Sequence, residues 1–434
     1  MYRTKIEDLL RWKNKKIRKP LLVYGARQVG KTHLLKSFGE TEFGKCLYFD
    51  LEQPPNLSAA FVESLSPGEI ISNLEQLIGE KIDLKNTLII FDEIQASNRC
   101  LASLKYFCEE MDDAYIVGAG SLLGVAVNRD GFSAPVGKVE TMTLHPMSFK
   151  EFMIALGQEQ MLDSVAEHYK SGQRYALHEQ AMSYFYQYLL IGGMPEAVRE
   201  FADETDYSLV GDVQRRILDL YVADMAKYAT PLETARILEV WRSIPAQLAK
   251  ENKKFQYKKV GRGGRASKYE ASIFWLETAG LINRCFNIND CHLPLALHEN
   301  RDAFKVYALD TGLLSSMMGV RAASILNSES RKSFDMGALV ENYVAQVLRE
   351  KGKPLHYWTS NGTAEIDFVS DLGLNSAVPI EVKSSENVRS RSLASYSDKF
   401  KPEVSIRISP KNFGEENGIK SVPLYATCFI DDFS

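Results

Sequence analysis

Between Pro20 and Pro146 short apolar runs alternate with stretches of helical period. The runs are Leu21-Leu22-Val23-Tyr24, Cys46-Leu47-Tyr48-Phe49, Leu88-Ile89-Ile90-Phe91, Tyr115-Ile116-Val117 and the segment Val139–Leu144. A strand that is apolar on both faces must be covered on both, so the pattern predicts an α/β fold built on a parallel sheet between helices. A helix-rich stretch follows from about Ser148 to Tyr228, broken at Gly192-Gly193-Met194-Pro195, where paired glycines before a proline enforce a turn. It is read as a helical lid. Beyond it the pattern predicts a helix over Leu232–Leu248, a strand over Lys254–Val260 and a helix over Ala266–Ala279, with Gly261, Gly263 and Gly264 in the loop between. That order suits a winged-helix-like module. Trp241, Phe274, Trp275 and Leu276 are read as core packing within these helices. The last third opens on a helix, Gly337–Glu350, followed by strands over Leu355–Thr359, Ala364–Ser370 and Ala377–Lys383, with Asn361-Gly362 as a hairpin turn. The expected domains are therefore 1–155, 156–229, 230–300 and 301–434.

Composition narrows the class without naming a partner. At roughly 100–200 residues per domain, the 434 residues make several cores rather than one small module. Hydrophobic residues are 45% and charged residues 25%, a globular balance, and the net charge of −4 points to no particular partner. The six cysteines show no C-x-x-C pair, which argues against a zinc ribbon or a disulfide framework and reads as buried thiols in a reducing compartment. None of the seven histidines has a second one at metal-ligand spacing. No apolar run approaches the roughly 18 residues needed to cross a bilayer, so a cytoplasmic protein without a membrane partner is expected.

The strongest chemical signal follows the first predicted strand. Gly25-Ala26-Arg27-Gln28-Val29-Gly30-Lys31-Thr32 fits G-x-x-x-x-G-K-[ST] between a strand and a helix, the context that makes the pattern a phosphate-binding loop. Glycines let backbone N–H groups close around phosphates, and the helix start adds partial positive charge. These eight residues and His33 are expected to bind ATP, with Lys31 bridging the β- and γ-phosphates and Thr32 on Mg²⁺. Leu88–Phe91 runs into Asp92-Glu93, expected to hold the metal's water shell and to polarise the attacking water, respectively. Ser121, after Gly118-Ala119-Gly120, stands where a polar sensor of the γ-phosphate belongs.

With these residues in place, the sequence resembles the AAA-type ATPases of bacteria and archaea that carry a C-terminal DUF4143 domain. The matching segments are Lys19–Leu22 leading into the loop, Phe91-Asp92-Glu93-Ile94-Gln95, His145–Phe152 and Gly192–Glu196. Farther on they are Tyr307–Leu314, Leu339-Val340-Glu341-Asn342 and Pro379–Lys383. The resemblance spans nearly the whole chain and implies an ATP-binding core, a lid and a C-terminal region related to the PD-(D/E)XK nuclease fold. One departure is Gly137-Lys138, where many relatives show Gly-Arg. An arginine fork contacts two oxygens at once, so an arginine finger is not expected at that point, and nearby Arg129 is not assigned to the role.

Strand alternation puts Glu381 and Lys383 on one face and Glu365 with Asp367 on one face of the neighbouring strand. Pairing those strands is expected to bring Asp367 beside Glu381 and Lys383, with Glu341 entering from the preceding helix. Such a set of carboxylates suits a second Mg²⁺ or Mn²⁺, and a lysine beside it could orient water or stabilise charge on a scissile phosphate, the E…D…E-x-K pattern of a PD-(D/E)XK site. The opposing reading is a solvated strand face with a charge pair.

From Lys250 to Lys268 the chain carries Lys250, Lys253, Lys254, Lys258, Lys259, Arg262, Arg265 and Lys268 against the single acid Glu251, with Phe255 and Tyr257 interleaved. Lys258, Lys259, Arg262 and Arg265 are the expected contacts to a DNA or RNA backbone, the alternative being a solvated face or subunit contact. The basic stretch Arg11–Lys19 is read as a solvated entry to the first strand. Two functions follow: an ATPase moving a nuclease-like domain that acts on nucleic acid, or a nucleotide switch for protein–protein signalling with an inert C-terminal domain. A homo-oligomer or protein partner is compatible with either.

Overall fold

A computed structural model describes residues 1–52, 58–61, 64–121, 137–250, 253–360, 364–385 and 391–431. They divide into two compact units, one of residues 2–145 with 278–280, the other of residues 146–277 and 281–434 together with Met1.

The first unit is built on five strands: β1 (Leu21–Tyr24), β2 (Lys45–Asp50), β3 (Thr87–Asp92), β4 (Tyr115–Gly120) and β5 (Glu140–Thr143). All pair in parallel, in the order β2-β3-β4-β1-β5. Every residue of β3 is buried, as a central strand between two helical layers requires. Ile89, Phe91 and Ile116 pack into one cluster with Ile70, Leu74, Leu101, Leu104 and Phe107. Because β1, β3 and β4 are parallel neighbours, the segments that leave their C-terminal ends open on one edge of the sheet, where open α/β sheets place their ligands. The basic entry stretch is not wholly solvated: Arg18 is buried, its guanidinium 3.7 Å from the centroid of the Tyr115 ring.

The second unit begins with helices at Phe149–Ala155, Glu159–Ser171, His178–Ile191, Pro195–Glu204, Tyr207–Tyr228, Pro231–Leu248 and Ala266–Thr278. The first is fixed by a capping box in which the Ser148 hydroxyl accepts from Glu151 N and the Glu151 carboxylate accepts from Ser148 N. Its sheet comprises β6 (Ile282–Ile288), β7 (Glu299–Ala308), β8 (Leu355–Ser360), β9 (Ala364–Ser370), β10 (Val378–Val382), β11 (Ser405–Ser409), β12 (Gly414–Glu416) and β13 (Ile419–Pro423). The order is β12-β13-β11-β10-β9-β8-β6-β7, with β9 antiparallel to both β8 and β10, and β11 parallel to β10. The buried helix Gly337–Glu350 packs on β7, β8 and β10.

The Gly192-Gly193 turn is locked into this unit. The Asp310 carboxylate, fully buried, accepts from Gly193 N at 2.7 Å and from Leu313 N at 2.9 Å. A Cβ at Gly193 would lie 2.0 Å from Met147 O, so only glycine fits. Ser315 donates to Leu189 O at 2.7 Å and Gln346 to the Tyr188 hydroxyl at 2.8 Å, so the helices expected as a lid share buried polar contacts with the C-terminal region.

Several expectations change. The strand expected over Lys254–Val260 is a single helical turn, Tyr257–Val260. Phe255 does not interleave with the lysines on the surface; it is buried, stacked on Phe304 at 5.4 Å. Phe274 is 50% exposed and is not core. Cys46 and Cys108 are half-buried, while the other four thiols are buried and all six are free. The Asn361-Gly362 turn and Arg129 lie outside the described residues.

Candidate functional site

The loop after β1 is shaped by its glycines. Gly25 has φ +151°, and a Cβ there would sit 2.3 Å from Leu144 O. Gly30, at φ 91°, occupies the left-handed region just before the helix Lys31–Glu42. Arg3, which the sequence reading missed, braces the loop from behind, donating to Val29 O at 2.7 Å and to His145 O at 2.6 Å. The side chains of Ala26 and Val29 are buried, Gly25, Arg27 and Gly30 are half-buried, and Gln28 and His33 are exposed. Arg27 approaches Glu52 at 3.9 Å.

Lys31 is the loop's functional-looking cation. It is 6% exposed, and its ammonium donates to Gly25 O and Ala26 O, both at 2.9 Å. Burial lowers it to about 8, opposed by the carboxylates of Glu93 and Asp92. A buried ammonium held by two loop carbonyls is suited to an anion that would lie over the same loop.

At the end of β3, Asp92 is buried and accepts from the Thr32 hydroxyl at 2.5 Å and from the Tyr48 hydroxyl at 3.0 Å through Oδ2, and from Glu93 N at 2.9 Å through Oδ1. Tyr48 was not anticipated; burial and Asp92 push its phenol well up, so it stays a donor to the carboxylate. Glu93 sits at φ 48°, a strained position for a side chain of its size. Its carboxylate accepts from Gln95 Nε2 and, at 3.3 Å, from the Ser121 hydroxyl at the end of β4. The structure therefore brings Lys31, Thr32, Asp92, Glu93 and Ser121 to one sheet edge. A hydroxyl beside a carboxylate is an all-oxygen donor set, which fits Mg²⁺. Lys138, the residue at the missing arginine, is paired with Glu109 at 2.9 Å.

The second constellation lies in the other unit. Lys383 meets Glu381 at 3.1 Å, and Asp367 accepts from Val382 N at 2.8 Å. Glu341 is buried and receives the Lys253 ammonium and, at 3.2 Å, the Tyr307 hydroxyl. A residue the sequence did not disclose occupies the middle: Lys305 of β7, 0% exposed, with Nζ 2.5 Å from Glu365 Oε1 and 3.9 Å from Asp367 Oδ1. These are charge contacts without the alignment of hydrogen bonds. Burial, then Glu341, pushes the Asp367 carboxyl up to about 7, against the pull of Lys305. Burial disfavours the Lys305 ammonium, but Glu341, Asp367 and Glu365 outweigh it and hold the charge on. Among the described residues no group of three or more His, Cys, Asp or Glu is placed to hold a metal ion.

Of the expected polyanion contacts, Lys258, Lys259, Arg262 and Arg265 are all exposed, on or beside the turn between Tyr257–Val260 and Ala266–Thr278. Lys253 and Lys268 are instead engaged internally, with Glu341 and Glu239. No helix among the described residues is long and apolar enough to cross a membrane.

Three family models match the chain: an AAA domain over residues 17–153, a domain of unknown function (DUF8612) over 182–324 and a domain of unknown function (DUF4143) over 336–427. No curated protein matches it in sequence. Among solved structures, the Walker-type ATPase PABY2304 of Pyrococcus abyssi aligns at 14% identity with a TM-score of 0.44, over 72% of this chain and 94% of that one. The ORC2 protein of Aeropyrum pernix in its ADPNP–ADP complexes aligns at 14% identity and TM-score 0.39, over 76% and 96%. The RuvB Holliday junction branch migration motor of Thermotoga maritima aligns at 16% and 0.31, over 65% and 90%. The loop geometry and the family matches agree: the chain carries an AAA domain around its G-x-x-x-x-G-K-[ST] loop and a DUF4143 domain in its C-terminal part.

Proposed function

We propose that the chain is an Mg²⁺-dependent ATPase in which nucleotide binding and hydrolysis move a nuclease-like C-terminal domain that acts on nucleic acid. The observation that carries the ATPase part is the buried Lys31 ammonium held over the loop carbonyls beside the Thr32–Asp92 pair. Lys31 would transfer from Gly25 O and Ala26 O to the β- and γ-phosphates. Thr32 and Asp92 would hold Mg²⁺, which when bound neutralises phosphate charge. Glu93, positioned by Gln95 and Ser121, would accept the proton of the attacking water, and Ser121 would sense the γ-phosphate.

The nucleic-acid part is supported by the exposed cluster of Lys258, Lys259, Arg262 and Arg265. It is also supported by the succession in the second unit: a helix at Gly337–Glu350, three antiparallel strands, a helix at Arg391–Phe400 and a parallel strand. A competing reading, a nucleotide switch for protein–protein signalling with an inert C-terminal domain, is favoured by the internal neutralisation of Glu341, Glu365 and Asp367 by lysines. ATP turnover measured with and without duplex DNA separates the two. Stimulation by DNA, with retention that weakens steeply with salt, supports the nucleic-acid reading; turnover indifferent to DNA and no retention at low salt supports the switch.

A further inference from the structure

The acids of the C-terminal sheet face are already matched by cations of the same chain. Lys305 stands between Glu365 and Asp367 with its ammonium 4.9 Å from the centroid of the Tyr357 ring, and its side chain is buried. Lys253 closes over Glu341, with side-chain exposures of 11% and 9%, and Lys383 closes over Glu381. Arg407 of β11, also buried, is in register with Glu381 of β10. The acids come from the segment matched by DUF4143, whereas Lys253 and Lys305 come from the segment matched by DUF8612. The cluster is therefore completed by a second part of the chain.

A fully buried ammonium is tolerated only where carboxylates surround it, so Lys305 requires the same acids that a divalent ion would require. The two cannot share them. A doubly charged ion at Glu341 and Asp367 would lie beside a fixed positive charge in a site where water screens little. The residues present thus do not fit the second Mg²⁺ or Mn²⁺ that the E…D…E-x-K pattern suggests.

We propose that the Lys305 ammonium permanently occupies the cation position of this acid cluster, so that the C-terminal domain is a metal-free module without metal-dependent nuclease activity. The inference rests on the nuclease-like reading for the expectation of a metal there. It does not depend on which polyanion binds.

The test is Mn²⁺ binding to the nucleotide-free full chain, followed by the paramagnetic resonance signal of the free ion and by thermal unfolding. Wild type, Asp367→Asn and Glu341→Gln are expected to bind the same number of equivalents. Lys305→Met, which keeps the bulk and removes the charge, is expected to gain about one equivalent. A bound equivalent in wild type that disappears in Asp367→Asn or Glu341→Gln overturns the proposal, as does Mn²⁺-dependent cleavage of DNA lost in Asp367→Asn. A folded Lys305→Met that gains nothing overturns it too. If Lys305→Met does not fold, the comparison of wild type with the two acid variants decides alone. Salt-dependent DNA retention, measured separately, reports on the nucleic-acid reading, so its loss with unchanged Mn²⁺ results would sink that reading and not this one.

Discussion

Lys31 carries the most consequential single charge of the nucleotide site, and its environment dictates a pH dependence. Burial lowers the Lys31 ammonium to about 8, and a bound polyphosphate would raise it, so binding takes up a proton wherever the side chain has lost one. The sign is fixed: affinity falls as pH rises through the free value. With the bound value well above 9, nucleotide affinity should drop about tenfold between pH 7 and 9. Isothermal titration in buffers of different ionisation enthalpy checks this, with uptake of about 0.7 proton expected at pH 8.5 and almost none at pH 6.5. A flat profile would show that phosphate does not reach this ammonium. Glu93 belongs to the same scale. Glu93→Gln keeps a hydrogen-bonding side chain of the same size but removes the proposed base, so it should bind ATP as wild type does and lose about 10²-fold or more in turnover.

Among the elements, the Gly192-Gly193 turn and its Asp310 clamp make a sharp prediction. Asp310→Ala leaves the buried N–H groups of Gly193 and Leu313 without their acceptor, a loss of about 2–6 kcal/mol at roughly 1–3 kcal/mol per orphaned group. Chemical denaturation should show a lowered midpoint for the second unit. An unchanged midpoint would mean that the turn is held by something else. Four strands of the first sheet were legible because their centres are unbroken apolar runs, as in Leu88-Ile89-Ile90-Phe91 before Asp92, the mark of a strand covered on both faces. The segment Lys254–Val260 misled because Phe255, Tyr257 and the lysines alternate with the period of a strand. Stacking of Phe255 on Phe304, about 50 residues away, and a bond from Tyr257 OH to Glu270 decide the matter instead. Lys305 was illegible for a related reason. In Phe304-Lys305-Val306-Tyr307 it reads as a strand's solvent-facing residue, and only the fold delivers Glu365 and Asp367 to its side. Arg3 and Tyr48 carry no motif, and only the folded loop gives them partners.

For the molecule as a whole, charge placement matters more than its sum. A net charge of −4 hides the exposed cluster Lys258, Lys259, Arg262 and Arg265. If this cluster tracks a phosphate backbone, replacing all four by alanine should lower the slope of log K against log salt by about 3–4 for duplex DNA and leave basal ATP turnover unchanged. A slope unaltered by the replacement would place the contacts elsewhere. The exposed Phe274 on the neighbouring helix provides a control, since Phe274→Ser should leave that slope alone. The most direct test of the account is ATP hydrolysis by the full chain with Mg²⁺, measured beside nucleotide binding in wild type, Lys31→Ala and Glu93→Gln. The account predicts turnover in wild type, neither turnover nor tight binding in Lys31→Ala, and binding without turnover in Glu93→Gln. Turnover that survives Lys31→Ala, or a Glu93→Gln variant as fast as wild type, would contradict the assignment of the site.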